Sequence, residues 1–502
     1  VNRYAGFKLM VRRTTPLVVI LTVSLGLGVY LWKVLPEHRI ISELPPAKPD
    51  APNVLLLVLD TVRAQSLSVY GYNRSTTPVL EQFSKEGICF EQAFSTSPWT
   101  LPSHGTMFTG RFPHELFTAS DTPLNPRTPI RVSYPTLAEV LSEHGYLTAG
   151  FVANLSYCTY AHGLHRGFAH YEDYRVSVPE LFRSSRLTFW LAIKIWGNPE
   201  VADRKKAAEV NRAFLNWLDR QNGRSFFAFL NYFDAHDPYI PPKPFDREFG
   251  VDKPKDPFVR FTHKYKAHEI QALQDAYDGC IASLDHEIGL LLDDLRERGV
   301  LENTLVIITS DHGEQFGEHG LMYHVNSLYR PLLHVPLFIS FPKRVPAGKR
   351  VKETVSLRDL PATVMDLLEL KGEDWFPGNS LARCWKDVDH DLKHKEEMQF
   401  AEIVVGQKKP EWCPESWPVS RGRMTALLGL GYHYIQNGDG SEELYDIDED
   451  PKEERNLANS EDGYALLPTF RSTLKSILAI DQSSSWQHAP QDTVASGGAA
   501  QL

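Results

Sequence analysis

The feature that most constrains how this chain folds is a series of short, largely apolar runs, most of them ending at an acid, amide or histidine. Residues 54–59 (VLLLVL) stop at Asp60, and 147–152 lead to Asn154. Residues 226–232 lead to Asp234 and His236, 305–309 lead to Asp311 and His312, and 336–341 form a fifth run. A strand with one wet face alternates apolar and polar residues. An unbroken run needs cover on both faces, as in a parallel sheet between two helix layers. Helical patterns separate the runs. Thr77 with Pro78 at the first position predicts a helix ending near Gly87, and Ile270, Leu273, Tyr277, Ile281, Leu284, Ile288, Leu291 and Leu295 predict another up to Gly299. Strand alternating with helix over this length predicts an α/β fold with a mainly parallel sheet sandwiched by helices. Such sheets bind ligands beyond the carboxyl ends of their strands, where Asp60, His236, Asp311 and His312 fall.

Beyond about residue 370 the pattern changes to turns, a charge-dense stretch at 386–397, and short strand-like segments at 401–405, 424–428 and 432–436. These predict a small C-terminal α+β domain with an antiparallel sheet, so the large domain is expected over 53–378 and the small one over 379–480. From 481 to 502 Ser, Gln, Gly and Ala dominate, the composition of a disordered tail.

At the other end, residues 14–32 carry no charge and are long enough to span a bilayer as a helix. Arg3, Lys8, Arg12 and Arg13 precede the run, against only Lys33 and Arg39 close behind it. That asymmetry predicts a cytoplasmic N-terminus (1–13), a single-pass anchor (14–34), a Pro-rich stalk (35–52) and a catalytic domain outside, in periplasm or extracellular space. A cleaved signal peptide is the alternative. The net charge of −10 and the lack of any basic stripe argue against a nucleic-acid partner. Five scattered cysteines without a C-x-x-C pair read as structural thiols, not a disulfide framework or zinc site.

Four residues suggest chemistry together. Asp60 ends the first run in L-D-T-V-R, Thr100 lies in S-P-W-T-L-P-S-H-G-T-M-F-T-G-R, and Asp311 and His312 end another run in T-S-D-H-G-E. Carboxylates with an imidazole are donors for a divalent cation, and strand ends hold such donors rigidly. Each residue alone has a plain structural reading, as a helix cap or a turn. Their occurrence together at strand ends is what makes the metal reading the stronger one.

With those motifs in place, the chain resembles the sulfatase family of the alkaline phosphatase superfamily from about residue 53 to 457. Thr100-Leu-Pro-Ser-His104 followed by Met107-Phe-Thr-Gly-Arg111 resembles the family's C/S-x-P-S-R and L-x-T-G-R. His236-Asp-Pro-Tyr239 resembles its H-x-P-Y, and Asp311-His312 its metal pair. Glu443-Leu-Tyr-Asp-Ile-Asp-Glu-Asp-Pro-Lys-Glu453 resembles its closing motif. The resemblance implies a large α/β domain with a small C-terminal one, and one divalent metal ion on Asp60, Asp311, His312 and Thr100. It also implies a nucleophile at Thr100, catalytic histidines at His104, His236 and His324, and substrate contacts at Asn154 and Arg111.

The departures bear on mechanism. Where sulfatases carry the Cys or Ser that becomes formylglycine, this chain has Thr100, whose Cβ methyl prevents formation of that aldehyde. A sulfated threonine lacks the elimination exit, whereas a phosphorylated one can be attacked in line. The family's Arg four residues on is His104, and Asn154 stands near the place of its sulfate-binding Lys. Only Asp60 remains of a double Asp, which moves the metal expectation towards zinc or manganese with calcium still open. His162 and His165 are weaker candidates for a second metal with Asp234 or Asp237. The expectation is a membrane-anchored hydrolase of phosphate or sulfate esters on a small-molecule, lipid or glycan. An extracytoplasmic head-group transferase and a non-catalytic binding protein on the same scaffold are its rivals.

Overall fold

The computed structural model describes residues 28, 35–117, 129–174, 204–221, 223–250, 254, 256–370, 375–386, 397–404 and 413–483. The expected anchor at 14–34 lies outside these residues apart from residue 28, and the tail beyond 483 lies outside them too. Among the described residues, no helix is long and apolar enough to cross a membrane.

Among the described residues, fourteen strands form three sheets. Eight build the central one: β1 (Asn53–Leu59), β2 (Ile88–Phe94), β3 (Leu147–Val152), β4 (His170–Glu172), β5 (Phe226–Tyr232), β6 (Thr304–Thr309), β9 (His334–Ser340) and β10 (Lys349–Ser356). The two-residue strands β7 (Gln315–Phe316) and β8 (Met322–Tyr323) make a hairpin. The strands β11 (Gln399–Ile403), β12 (Met424–Gly429), β13 (Tyr432–Gln436) and β14 (Glu442–Asp446) form an antiparallel sheet. The central order is β10-β2-β9-β6-β1-β5-β3-β4. Only β9 runs against its neighbours, so the sheet is mainly parallel as the runs implied.

The unbroken runs are strands with apolar cover on both faces. Leu55 and Leu57 face one core and Val54, Leu56 and Val58 the other. Among the described residues, the α-helices longer than four residues are α1 (Leu35–Glu43), α2 (Pro78–Phe83), α3 (Thr100–Thr109), α4 (Leu137–Glu143), α5 (Ala207–Leu218), α6 (Ala267–Glu297), α7 (Leu360–Leu367) and α8 (Glu461–Ser483). Residues of α3, α4 and α7 pack on one face, while α5 and α6 cover the other. Helix α2 ends at Phe83, before the expected Gly87, and its N-terminus is capped by Asp285 of α6, whose carboxylate accepts from the amides of Val79 and Leu80.

Two expected boundaries move. The stretch 35–52 is not a free stalk: α1 is followed by a strap on the domain. The Ser225 hydroxyl donates to the Ala51 carbonyl at 2.6 Å, Lys48 reaches the Glu369 carbonyl, and Gly145 sits against the backbone of 45–47 with no room for a Cβ. The small domain starts later than 379, because Leu381 and Ala382 are buried in the core of the large domain. There the apolar side chains pack beside α7, which outweighs the local turn-like composition.

Candidate active site

Parallel pairing in the order β6-β1-β5-β3 brings four strand ends to one edge. Asp60 follows β1, Asn154 follows β3, His236 lies beyond β5, and Asp311 and His312 follow β6. Helix α3 points its N-terminus at this edge, with Thr100 as its first residue. The Ser103 hydroxyl donates to the Asp311 carbonyl at 2.6 Å, which pins the helix to the end of β6.

The Thr100 hydroxyl lies 3.4 Å from His312 Nε2, and that nitrogen is 3.5 Å from Asp311 Oδ2 and 3.9 Å from Asp60 Oδ1. Each of these side chains is buried. His312 Nδ1–H donates to the Gly313 carbonyl, so Nε2 presents its lone pair to the carboxylates. Asp311 Oδ1 accepts from the amides of Thr61 and His312, and Asp60 Oδ2 accepts from Asn154 Nδ2 at 2.9 Å. Their other oxygens, Asp60 Oδ1 and Asp311 Oδ2, have no hydrogen-bond partner.

Two orphaned carboxylate oxygens facing one imidazole lone pair in a buried site fit a divalent cation. Among the described residues, Asp60, Asp311 and His312 are the group whose donor atoms lie close enough together, within 4.8 Å, to share an ion. Burial pushes the Asp311 carboxyl up to about 7. Burial, and then the Asp311 charge, raise Asp60 well above the usual carboxylate range. Thr61 bridges the two ligands at φ 62°, a strained value for a β-branched residue.

Around this cluster sit two more histidines. The His324 ring is 4.6 Å from His312 and 5.0 Å from His236, centroid to centroid. His324 Nδ1–H donates to Glu314 Oε1 at 3.0 Å, and His236 Nδ1–H donates to the Asp237 carbonyl at 2.6 Å. Burial is the first cause holding both rings well below the ordinary histidine value. Next come His312 for His324 and His324 for His236. They are neutral imidazoles until an anion arrives beside them.

Three expected roles change. Arg111 lies beyond the far end of α3 from Thr100, paired with Glu115 at 3.0 Å and packed over Tyr134, so it does not reach the pocket. A ten-residue helix carries it about 15 Å from the nucleophile position. Asn154 is not free to hold substrate, because Nδ2 is committed to Asp60 and Oδ1 accepts from the amides of Ser156 and Tyr157. His104 packs edge-on against Phe229 and Phe108, its Nδ1–H donates to the Thr100 carbonyl, and that nitrogen is 3.5 Å from Asp311. It braces Thr100 and Asp311 from behind. Burial lowers it to about 4, so it stays neutral there. The second-metal idea also finds other contacts: His162 bonds Thr159, and His165 stacks on Tyr160.

Two residues near the site carried no role in the sequence reading. Arg204 donates to the carbonyls of Phe233, His236 and Pro238, clamping the loop that holds His236, and it pairs with Asn154 as an isolated β-bridge. Nothing in the sequence around Arg204 signals this. Glu314 had a signal, since it closes the T-S-D-H-G-E motif.

This arrangement of a mixed, mainly parallel sheet with an acidic cation cradle facing a helix N-terminus defines an alkaline-phosphatase-like hydrolase fold. The sulfatase family model matches residues 52–370, and a model described as N-sulphoglucosamine sulphohydrolase, C-terminal, matches 317–479. The chain belongs to the sulfatase family and is an ester hydrolase of that family. It is 27% identical to arylsulfatase K of Bos taurus, over 82% of this chain and 79% of the relative. It is 25% identical to an arylsulfatase of Clostridium perfringens, over 82% of this chain and 91% of the relative. The fold is similar to that of a phosphonate monoester hydrolase of Agrobacterium radiobacter, with TM-score 0.68 and 20% identity over 86% of this chain and 96% of that one.

Proposed function

We propose that the chain hydrolyses phosphate esters in preference to sulfate esters, with Thr100 as nucleophile and a divalent metal ion held by Asp60, Asp311 and His312. The observation that carries this reading is the Thr100 hydroxyl at the N-terminus of α3, 3.4 Å from His312 Nε2, on a residue whose Cβ methyl closes the formylglycine route. Bound in the cradle, a divalent cation supplies Lewis acidity to the hydroxyl and neutralises charge on the ester oxygens. The helix N-terminus favours an oxyanion at the same point.

In the first step Thr100 Oγ1 loses its proton to solvent and forms a bond to phosphorus, and the bond to the leaving oxygen breaks. His236 or His324, its Nδ1–H held by Asp237 or Glu314, takes a proton from solvent onto Nε2 as the anionic ester binds and delivers it to that oxygen. In the second step water attacks phosphorus in line and gives a proton to the Nε2 that served as acid, and the threonine oxygen departs and regains a proton from solvent. Asn154 holds Asp60 throughout, and His104 holds Thr100.

The sulfate reading is the second one, because the two relatives named above are arylsulfatases. Zinc or manganese suits the mixed carboxylate and imidazole donors, with calcium a third choice. The uncharged run 14–32 and the basic residues before it support a single-pass anchor with the catalytic domain outside the cytoplasm, and substrates of small-molecule, lipid or glycan type. Protease accessibility of the domain on intact cells or spheroplasts tests that placement.

The activity test is a panel of aryl phosphodiester, phosphomonoester and sulfate substrates with zinc, manganese and calcium. Turnover of aryl sulfate alone would sink the phosphoryl preference.

A further inference from the structure

We propose that Glu314 is a positioning residue for the reaction: by accepting Nδ1–H of His324, it presents Nε2 of that ring to the leaving oxygen of the ester. This rests on the hydrolytic reading above.

Glu314 is fully buried, and its Oε1 lies 3.0 Å from His324 Nδ1. Its backbone is itself held, since the buried Arg63 guanidinium donates to the Glu314 carbonyl at 3.1 Å and pairs with Glu318 at 2.7 Å. The carboxyl group therefore has a fixed origin, with His324 Nδ1 on Oε1 and the Tyr239 hydroxyl as its other side-chain neighbour. A carboxylate on Nδ1 decides which ring nitrogen faces the other way, as in any imidazole oriented by an acid.

The loop bearing His324 carries a second, independent sign. Tyr323 has φ 76° and Val325 has φ 71°, so both neighbours of the histidine occupy the left-handed region, and neither is glycine. Strain of this kind, on a β-branched residue above all, persists only where surrounding contacts over-determine it. The contacts are present. The Val325 amide donates to the Pro98 carbonyl at 3.2 Å, two residues before Thr100, and Tyr323 stacks on the His324 ring at 3.9 Å. The histidine is thus tied on one side to the nucleophile segment and on the other to Glu314. Its ring stands beside His312, whose Nε2 is 3.4 Å from the Thr100 hydroxyl.

In the step served, His324 has become an imidazolium by taking a proton from solvent onto Nε2 as the anionic ester binds. The Thr100 Oγ1–phosphorus bond forms as its hydroxyl proton leaves to solvent, the bond to the leaving oxygen breaks, and Nε2–H gives its proton to that oxygen. The Nδ1–H···Oε1 hydrogen bond stays in place and keeps the ring from turning.

The test measures kcat and KM of the purified full chain on aryl phosphate esters whose leaving groups range from 4-nitrophenol to unactivated alcohols. E314L should lower kcat by about 10–100-fold on poor leaving groups and far less on 4-nitrophenyl esters, with KM little changed. E314Q, whose side-chain oxygen can still accept from Nδ1–H, should keep most of the activity. In an H324A background, E314L and E314Q should cost nothing more.

Equal losses across leaving groups, or an undiminished loss in the H324A background, would overturn the positioning role alone. No turnover of any phosphate or sulfate ester by the wild type would overturn the hydrolytic reading and the positioning role together. If E314L does not fold, histidine 15N NMR of the wild type and E314Q reads the same bond. A hydrogen-bonded Nδ1 proton on His324 is expected, and its absence in the wild type overturns the proposal.

Discussion

Replacing Asn154 with alanine separates two accounts of this residue that predict different measurements. By its position in the sequence Asn154 is a substrate contact, and its loss should then raise KM and leave metal binding unchanged. By its geometry it is a support for Asp60: Nδ2 donates to Asp60 Oδ2 at 2.9 Å, inside a buried cradle, while Oδ1 holds the amides of Ser156 and Tyr157. Truncation leaves a buried carboxylate oxygen with no donor, a loss of about 1–3 kcal/mol in the apo protein, with the exposed Ser156 amide turning to water at little cost. Losing a group that orients a metal ligand weakens metal affinity by about 10–100-fold, or about 1.4–2.7 kcal/mol. The assay is calorimetric titration of zinc and manganese into the metal-stripped chain, backed by the rise in melting temperature that each metal produces. Asn154→Ala should show weaker binding and a smaller rise, and activity should recover as metal is raised. Unchanged metal affinity with a raised KM would refute the supporting role and restore the substrate-contact one.

Thr100→Ala should abolish turnover by at least about 10³-fold while the melting temperature still rises with metal, whereas Thr100→Ser should keep substantial activity; full activity in Thr100→Ala would remove the nucleophile assignment. Arg204→Ala unties the carbonyls of Phe233, His236 and Pro238 and should lower kcat about tenfold more than it raises KM. A pure KM effect would place Arg204 in substrate binding instead.

Stability should also depend on pH through Asp285. Burial pushes its carboxyl up to about 7, against the pull of the Val79 and Leu80 amides that it caps. An acid held more tightly protonated in the folded than in the unfolded state makes stability greatest at low pH and lost as pH rises from about 4 to 7. Asp285→Asn should flatten that part of the profile, by a few kcal/mol at most. Chemical denaturation of both chains across this window checks it, and identical slopes would count against the assignment.

The central strands were legible because β1, β3, β5 and β6 are largely apolar without alternation, and a sheet covered on both faces accommodates such runs. Other strands were not. The sequence of β10, KRVKETVS, belongs to a sheet edge with exposed residues, and β2 carries Glu91 and Gln92 at half-buried positions where its register shifts. Edge strands obey local polarity less because one side has no neighbour to satisfy. Helix α3 begins at Thr100 with Pro102 in its first turn, and Gly110 stops it at φ 66°.

For the site, the residue types and their strand-end positions were readable: Asp60, Thr100, Asp311 and His312 do converge. A single buried metal cradle leaves that mark because acids at the ends of apolar strands have few other reasons to be there. What no local pattern could contain is the use to which a polar side chain is put. Asn154 and Arg111 looked like substrate contacts by motif position. The pairing of β3 beside β5, next to β1, turns Asn154 onto Asp60, and the length of α3 carries Arg111 to the far end. Arg204 and Glu314 acquire partners only when loops distant in sequence pack together. The sequence alone determined the α/β sheet, the acidic strand ends and the threonine that bars formylglycine, because these follow from burial and covalent chemistry. Only the tertiary structure decided which polar groups hold the cradle and which are left to face a substrate. Hydrogen bonds across strands and loops depend on distances that the order of residues does not contain.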